Sequence, residues 1–230
     1  HDERVAALNL GGISNVTITG KSLIPIAYDI GPANGLLDAA ISAYTNGASH
    51  YDENGKLAAA GDVNAEILAK FLEEPYYALP APKSTGKELF HLPYITTHFG
   101  EISTWKIEDV MATLLALTVE TVALEVEKYA VSQLFVAGGG SANPVMMAAL
   151  RERLAPCEVL AMTSLGVDPR QKEALAFAIM GYLSAHGQPG SIPSCTGADK
   201  ATILGSFTPG SGPLHLPAPL SGPPTRLVIA

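Results

Sequence analysis

The stretch Gln133–Leu154, QLFVAGGGSANPVMMAALRERL, admits few backbone solutions. Leu134–Ala137 has the length and apolar character of a short buried strand. The glycines that follow, Gly138, Gly139 and Gly140, supply a turn whose backbone carries no Cβ atoms. Asn143 is then a natural N-cap, because its side-chain oxygen can accept a backbone N–H from the first helical turn. Pro144 takes the first helical position, where its missing N–H costs nothing. Strand, glycine turn and helix are expected in that order. In open α/β sheets such a unit sits at the carboxyl end of a strand, where ligands bind. A tight strand-to-helix turn without a ligand uses the same residues, so this stretch alone leaves both readings open.

The 230 residues are 47% hydrophobic and 16% charged, the balance of a packed globular chain long enough for a sizeable core. A net charge of −8 argues against a nucleic-acid surface. A nucleotide stays compatible, since backbone N–H groups and a metal ion can hold phosphates without a basic patch. Cys157 and Cys195 lack metal-ligand spacing and make no disulfide framework. Cys157 is expected to be a small core residue, and a reducing, cytoplasmic setting follows. No apolar run approaches transmembrane length and no signal-peptide pattern stands at the start, so no membrane partner is expected. A first residue of His1 reads as a processed or excised piece.

Along the chain, Arg4–Thr19 is a hairpin candidate, with β runs at Val5–Leu10 and Val16–Thr19. Gly11 and Gly12 form the bend, within a loop longer than two residues and edged by Asn9, Ser14 and Asn15. Those amides and that hydroxyl suit phosphate or a hydrated metal ion, although glycine hairpins with polar loops are common. A strand over Ile24–Tyr28 leads into Asp29-Ile30-Gly31-Pro32-Ala33-Asn34-Gly35 and a helix over Leu36–Tyr44. A carboxylate beside a glycine turn suits Mg²⁺ with phosphate; equally, Asn34 could cap the helix and Asp29 brace the turn. Asp38 falls in the first turns, where the helix dipole favours its charge.

DENGK, within Tyr51–Gly61, is a turn signal, and Asn64–Leu72 a short helix. Leu79–Leu89 is a loop whose Lys83 and Lys87 could face an anion, though exposed loop lysines usually do nothing specific. It is no P-loop, because Gly86-Lys87 is followed by Glu88. Ile107–Ala130 is the longest helix, with Val110, Leu114, Leu117, Thr121 and Leu124 at helical spacing and Met111, Thr118 and Val122 widening the stripe. A strand is expected over Glu158–Met162. Asp168 then caps a helix, with Pro169 at its first position and Gln171 completing a capping box. That helix reaches about Ala185, with Glu173 either facing a cleft or solvated. Ala201–Phe207 suggests a short strand or turn, and Gly210–Pro224 a poorly ordered tail.

The alternation of strands and helices indicates an α/β layered fold. The order of glycine hairpin, strand–DxGP–helix, long helix and strand–GGG–helix resembles the second domain of the sugar-kinase, chaperone and actin superfamily. That resemblance implies a ribonuclease-H-like domain, a mixed sheet flanked by helices. Within the superfamily the chain resembles the anhydro-N-acetylmuramic acid kinases. The resemblance rests on LNLGGISNVT (Leu8–Thr17), YDIGPANGLLDA (Tyr28–Ala39), PAPKSTGKE (Pro80–Glu88), GGGSANPVMM (Gly138–Met147), KEALAFA (Lys172–Ala178) and PSCTGADKATILG (Pro193–Gly205). It implies ATP with Mg²⁺ as cofactors and 1,6-anhydro-N-acetylmuramic acid as substrate. An activated water opens the anhydro ring while O6 takes the γ-phosphoryl group, giving N-acetylmuramic acid 6-phosphate for cell-wall recycling. Positioning and charge stabilisation carry such a transfer.

By the same resemblance, Gly11, Gly12 and Asn15 face phosphate, and Asp29, Gly31 and Asn34 organise the metal-phosphate region. Gly138, Gly139, Gly140 and Asn143 cradle the nucleoside, and Glu173 hydrogen-bonds the sugar. The family's general-base aspartate precedes its LNLGG motif, which begins here at Leu8, and Asp2 lies outside the motif; no catalytic residue is assigned. Ala33 stands where the family usually has glycine. Residues 1–209 are therefore expected to be the C-terminal nucleotide- and sugar-binding domain of a two-domain kinase, with 210–230 a Pro/Gly-rich tail. Turnover is expected to need the N-terminal half, and the resemblance makes a homodimer plausible. The alternative is a stand-alone nucleotide-binding or regulatory module. An α/β hydrolase is disfavoured, because Gly140-Ser141-Ala142 lacks the GxSxG elbow.

Overall fold

Alternation of apolar and polar residues builds the first hairpin. β1 (Val5–Leu10) and β2 (Ile13–Gly20) pair antiparallel, joined by Gly11-Gly12 alone. The turn is thus shorter than expected, and Ser14 and Asn15 are strand residues opposite Leu10 and Asn9. Ala6, Leu8, Leu10, Ser14, Val16 and Ile18 point into the core, while Asn15, Thr17 and Thr19 face outward, as the two-residue period dictates. β3 (Leu23–Pro32) runs past the expected end at Tyr28. Asp29 and Gly31 therefore lie inside the strand, paired with Asn15 and Ser14. The register slips by one between those pairs, which bulges β3 at Ile30, a device that re-aims neighbouring side chains.

The computed structural model describes residues 3–168 and 171–228. The chain forms two compact units, His1–Ala161 and Met162–Ala230. In the first, β4 (Gln133–Ala137) and β5 (Glu158–Ala161) extend the sheet in parallel, in the order β3-β2-β1-β4-β5. Three antiparallel strands followed by two parallel ones, flanked by helices, make the expected ribonuclease-H-like mixed sheet.

The helices of this unit are α1 (Asn34–Tyr44), α2 (Lys56–Ala60), α3 (Ala65–Leu72), α4 (Leu92–Phe99), α5 (Ile107–Lys128) and α6 (Pro144–Leu154). α5 touches α1, α2, α3, α6 and β3. Met111, Thr118 and Val122 are buried as expected, and the helix is buried on more faces than that stripe, taking in Leu115, Val119 and Ala123. Leu124, expected in that stripe, is half exposed, while Glu125 is buried. Close packing of α2 against α5 requires Gly61, where a Cβ would overlap the Glu108 carbonyl. α4 has no expectation from the sequence. It closes an aromatic cluster in which Phe90 meets Tyr94 edge-on at 5.1 Å between centroids and Phe71 lies 5.3 Å from Tyr94.

In the second unit, α7 (Lys172–Ala185) is followed by one turn, α8 (Pro193–Thr196). The expected cap at Asp168–Gln171 includes Pro169 and Arg170, which lie outside the described residues. The Ser184 hydroxyl donates to the Leu204 carbonyl at 2.6 Å, and Gln188 Nε2 to that of Leu220 at 2.6 Å. Ala201–Phe207 carries no strand, and Gly205 has φ +79°. Gly210–Pro224 has neither helix nor strand.

Two predictions follow from this packing. Gly61→Ala should cost about 3 kcal/mol through overpacking, whereas Gly139→Ala, whose nearest neighbour would be Asn34 Nδ2 at 3.7 Å, should cost under about 1 kcal/mol. Equal denaturant midpoints for the two would contradict the α2–α5 contact. Burial raises the phenol pKa of Tyr28, Tyr76 and Tyr77, and pushes Tyr94 up to about 12. The unfolded chain then loses these protons first, so their contribution is intact below pH 10 and is lost above it, by about 1.4 kcal/mol per phenol per pH unit. Urea midpoints measured from pH 9 to 11.5 should fall, and less steeply in Tyr94→Phe.

Candidate functional site

Hydrogen bonding between the hairpin tip and α1 sets the site. The Gly12 carbonyl accepts the N–H groups of Ala33 and Gly35, both at 3.0 Å, and the Gly11 carbonyl accepts that of Asn34 at 3.0 Å. These bonds satisfy amides that a helix start leaves open. Ala33 is the N-cap and makes no side-chain cap, so Asn34 does not cap the helix but begins it. A Cβ on Gly35 would lie 2.8 Å from the Gly12 carbonyl oxygen, which is why α1 can approach so closely. Because a trans peptide opposes its C=O and N–H, the Gly12 N–H points away from α1.

Asn9, Asn15 and Asp29 are register partners across β1, β2 and β3. They form a polar row on the outward face of the sheet beside this tip. The Asp29 carboxylate accepts from Ser84 Oγ at 2.8 Å and from the Thr85 N–H at 3.1 Å, both on Oδ2. Gly31 is required by Tyr77, whose Cε1 would lie 2.8 Å from a Cβ there. Asp29 and Gly31 thus hold the segment that follows Tyr76 against β3.

Lys83 is the residue the sequence misjudged. It is buried, its side chain 3% exposed, and its ammonium donates to the carbonyls of Tyr76 and Tyr77 at 3.3 and 3.0 Å and to Glu125 Oε1 at 3.4 Å. Tyr28 donates to the other oxygen of Glu125 at 2.8 Å. Burial lowers the Lys83 pKa and the Glu125 charge opposes that shift. Nothing within the PAPKSTGKE stretch indicates a partner over 40 residues away on α5. Lys83 therefore anchors the loop and does not face an outside anion.

On the other side, Gly138 has φ +84°, and a Cβ there would lie 2.6 Å from the Leu10 carbonyl oxygen. A Cβ on Gly140 would lie 2.6 Å from Leu10 Cβ. Two of the three glycines are thus needed for contact with β1, and Gly139 is the one that faces open space. Asn143 caps α6 as expected, accepting from Val145 N and Met146 N at 3.0 and 3.2 Å. Ser141 donates to the Gly138 carbonyl at 2.7 Å, closing its own turn.

Gly139, Ala142 and Asn143 line one wall of a cavity of about 540 Å³; Asn34, Leu37 and Asp38 of α1 line a second, and His50–Asn54 a third. That volume suits a small-molecule ligand. Asn34 joins the tip to this cavity, because its Nδ2 donates to the Leu10 carbonyl at 3.2 Å and lies 3.7 Å from where a Gly139 Cβ would be. Burial raises the Asp38 pKa, with Lys87 opposing the shift. Asp38 lies in the second turn of α1, beyond the end where the dipole acts most strongly.

The structure thus brings Asn34, Gly139 and Asn143 into one cavity, with Gly11 and Gly12 hydrogen-bonded to the start of α1 and Asn15 and Asp29 in the polar row on the sheet. Glu173 is an exposed residue of the first turn of α7 in the second unit. The wall at His50–Asn54 was missed. Its DENGK was legible only as a turn, although Asp52 does order it by accepting from the N–H groups of Leu57 and Ala58 at 2.9 and 3.0 Å. Among the described residues no group of three or more His, Cys, Asp or Glu could hold a metal ion, and no helix is long and apolar enough to cross a membrane.

A family model described as anhydro-N-acetylmuramic acid kinase matches residues 1–210. Curated proteins of that name are similar to this chain. The one from Streptomyces coelicolor is 49% identical over 97% of this chain and 57% of its own length. The one from Rhodococcus erythropolis is 51% identical over 89% and 53%, and that from Photobacterium profundum 40% identical over 89% and 56%. The chain spans about half the length of the curated relatives it matches. A solved structure, the activator of the 2-hydroxyisocaproyl-CoA dehydratase from Clostridium difficile with bound ADPNP, aligns with a TM-score of 0.43 and 14% identity over 77% of this chain and 62% of that one. With its family match covering residues 1–210, the chain belongs to the anhydro-N-acetylmuramic acid kinase family.

Proposed function

We propose that this chain holds the nucleotide for an ATP-dependent sugar kinase that opens 1,6-anhydro-N-acetylmuramic acid with water and phosphorylates O6. The observation that carries this reading is the continuity of the hairpin tip with the cavity through Asn34. The phosphates lie at Gly11 and Gly12, within reach of the Gly12 N–H and the side chains of Asn9 and Asn15. The nucleoside enters the cavity beside Gly139, with Asn143 fixing the start of α6 behind it.

Mg²⁺ fits this arrangement as an ion held mainly by phosphate oxygens and water, since it keeps several waters and takes few protein ligands. Asp29, with one carboxylate oxygen engaged by Ser84 and Thr85, is the protein group nearest to that task; the ion would spread the charge of the transferring phosphoryl group. Glu173 is assigned to the sugar by family resemblance. No catalytic base is assigned in this chain. Turnover is proposed to require the rest of the family sequence, and the setting is proposed to be cytoplasmic.

The test is ATP binding to this chain by calorimetry, with and without Mg²⁺. Wild type should bind, more tightly with Mg²⁺. Gly139→Val should weaken binding at least about tenfold, a loss of about 1.4 kcal/mol, while its circular dichroism stays unchanged. ATP affinity untouched by the valine would remove the nucleoside from the glycine turn. Joined to the rest of the family sequence, the chain should transfer the γ-phosphoryl group of ATP to 1,6-anhydro-N-acetylmuramic acid; a folded but inactive joined protein would count against the reaction.

A further inference from the structure

We propose that Asp38 reads the ribose of the bound nucleotide, its carboxylate accepting hydrogen bonds from the vicinal 2′- and 3′-hydroxyls. The inference rests on the nucleotide reading above and adds a residue and a chemical preference to it.

Three carboxylates line the cavity, and two are already engaged. Asp52 accepts from the N–H groups of Leu57 and Ala58, and Glu53 pairs with Lys56 at 3.3 Å. Asp38 is half-buried in the wall and makes no hydrogen bond or ion-pair contact with a described residue; the Lys87 charge acts on it from further off. Burying a carboxylate without partners is costly, so a ligand that supplies donors gains by meeting it.

An ionised carboxylate only accepts hydrogen bonds, so the ligand must donate. Adenine flanks its single amino group with acceptor nitrogens, which a carboxylate repels. The ribose diol offers two adjacent hydroxyl donors, matching two carboxylate oxygens, and acidic side chains serve ribose hydroxyls in other nucleotide folds. Placement agrees with this chemistry. Asn34 stands at the junction with the hairpin tip, where the phosphates lie. Asp38 follows four residues later on the same face of α1, about 6 Å along the helix axis. That is the direction and scale of the step from an α-phosphate to the ribose edge. The other α1 residues that line the cavity are the apolar Leu37 and Asn34, whose amide nitrogen is already bonded to the Leu10 carbonyl.

The test compares ADP, 2′-deoxy-ADP and 2′,3′-dideoxy-ADP by calorimetry with Mg²⁺, on the 230-residue chain as wild type, Asp38→Ala and Asp38→Asn. Wild type should bind ADP about tenfold more tightly than the dideoxy nucleotide, the scale of hydrogen bonds to a charged group. Asp38→Ala should bind both alike, at the dideoxy level. Asp38→Asn keeps the shape and half of the acceptor capacity, and should show a reduced preference. Thermal unfolding should be unchanged or raised in both variants, since alanine favours helix and no native hydrogen bond is lost. Full ribose preference retained in both folded variants would place the hydroxyl contacts elsewhere and overturn the proposal. So would a wild type that binds ADP and dideoxy-ADP equally. A wild type that binds none of the three nucleotides would overturn the nucleotide reading itself, and this inference with it.

Discussion

The structure depends on how closely the glycine turn after β4 and the start of α1 approach Leu10, a fully buried residue at the end of β1. Gly138 and Gly140 press on its backbone and Cβ from the turn that follows the parallel neighbour β4. Asn34 donates to its carbonyl from the start of α1. Any Cβ on either glycine would sit well inside contact distance, so the glycine run is first a packing requirement. The cavity wall is what that packing leaves over: Gly139 and the Asn34 side chain at its mouth. Close packing of this kind explains why a site can be positioned within tenths of an ångström by residues that never touch the ligand.

A second constraint holds the other rim. Lys83 and Glu125 form a buried ion pair, and such pairs need further hydrogen bonds to offset desolvation. Here two backbone carbonyls and the Tyr28 hydroxyl provide them. The result is a loop pinned to α5 on one side and to Asp29 on the other through Ser84 and Thr85. The charge pair thus orders a segment that lacks strand or helix of its own between Leu79 and Leu89.

Much of this was legible from local rules. The hairpin, the capped start of α6, the long helix and the alternation of β and α all follow from periodicity, glycine and proline placement, and short side chains that bind backbone. The six ordered stretches also pointed to the family that residues 1–210 match. Local rules failed where a residue's role depends on a distant partner. β3 was ended too early because the ladder partners of Asp29 and Gly31 are on β2. Leu124, expected in the buried stripe, is half exposed, while Glu125 beside it is buried against Lys83. The wall at His50–Asn54 was invisible because its DENGK motif specifies a turn but not what the turn faces.

The sequence by itself determined the elements and their order, since strand alternation, helix periodicity and caps act over a few residues and need no partner. It also determined that a glycine turn would stand between β4 and α6. Only the tertiary structure decided that two of those glycines serve Leu10 and one serves the cavity. Likewise it alone decided that Lys83 is buried and that Asp38 stands with an unengaged carboxylate in the cavity wall. These outcomes depend on contacts between residues far apart in the chain, which become neighbours only once the sheet has assembled and α1 and α5 have packed against it.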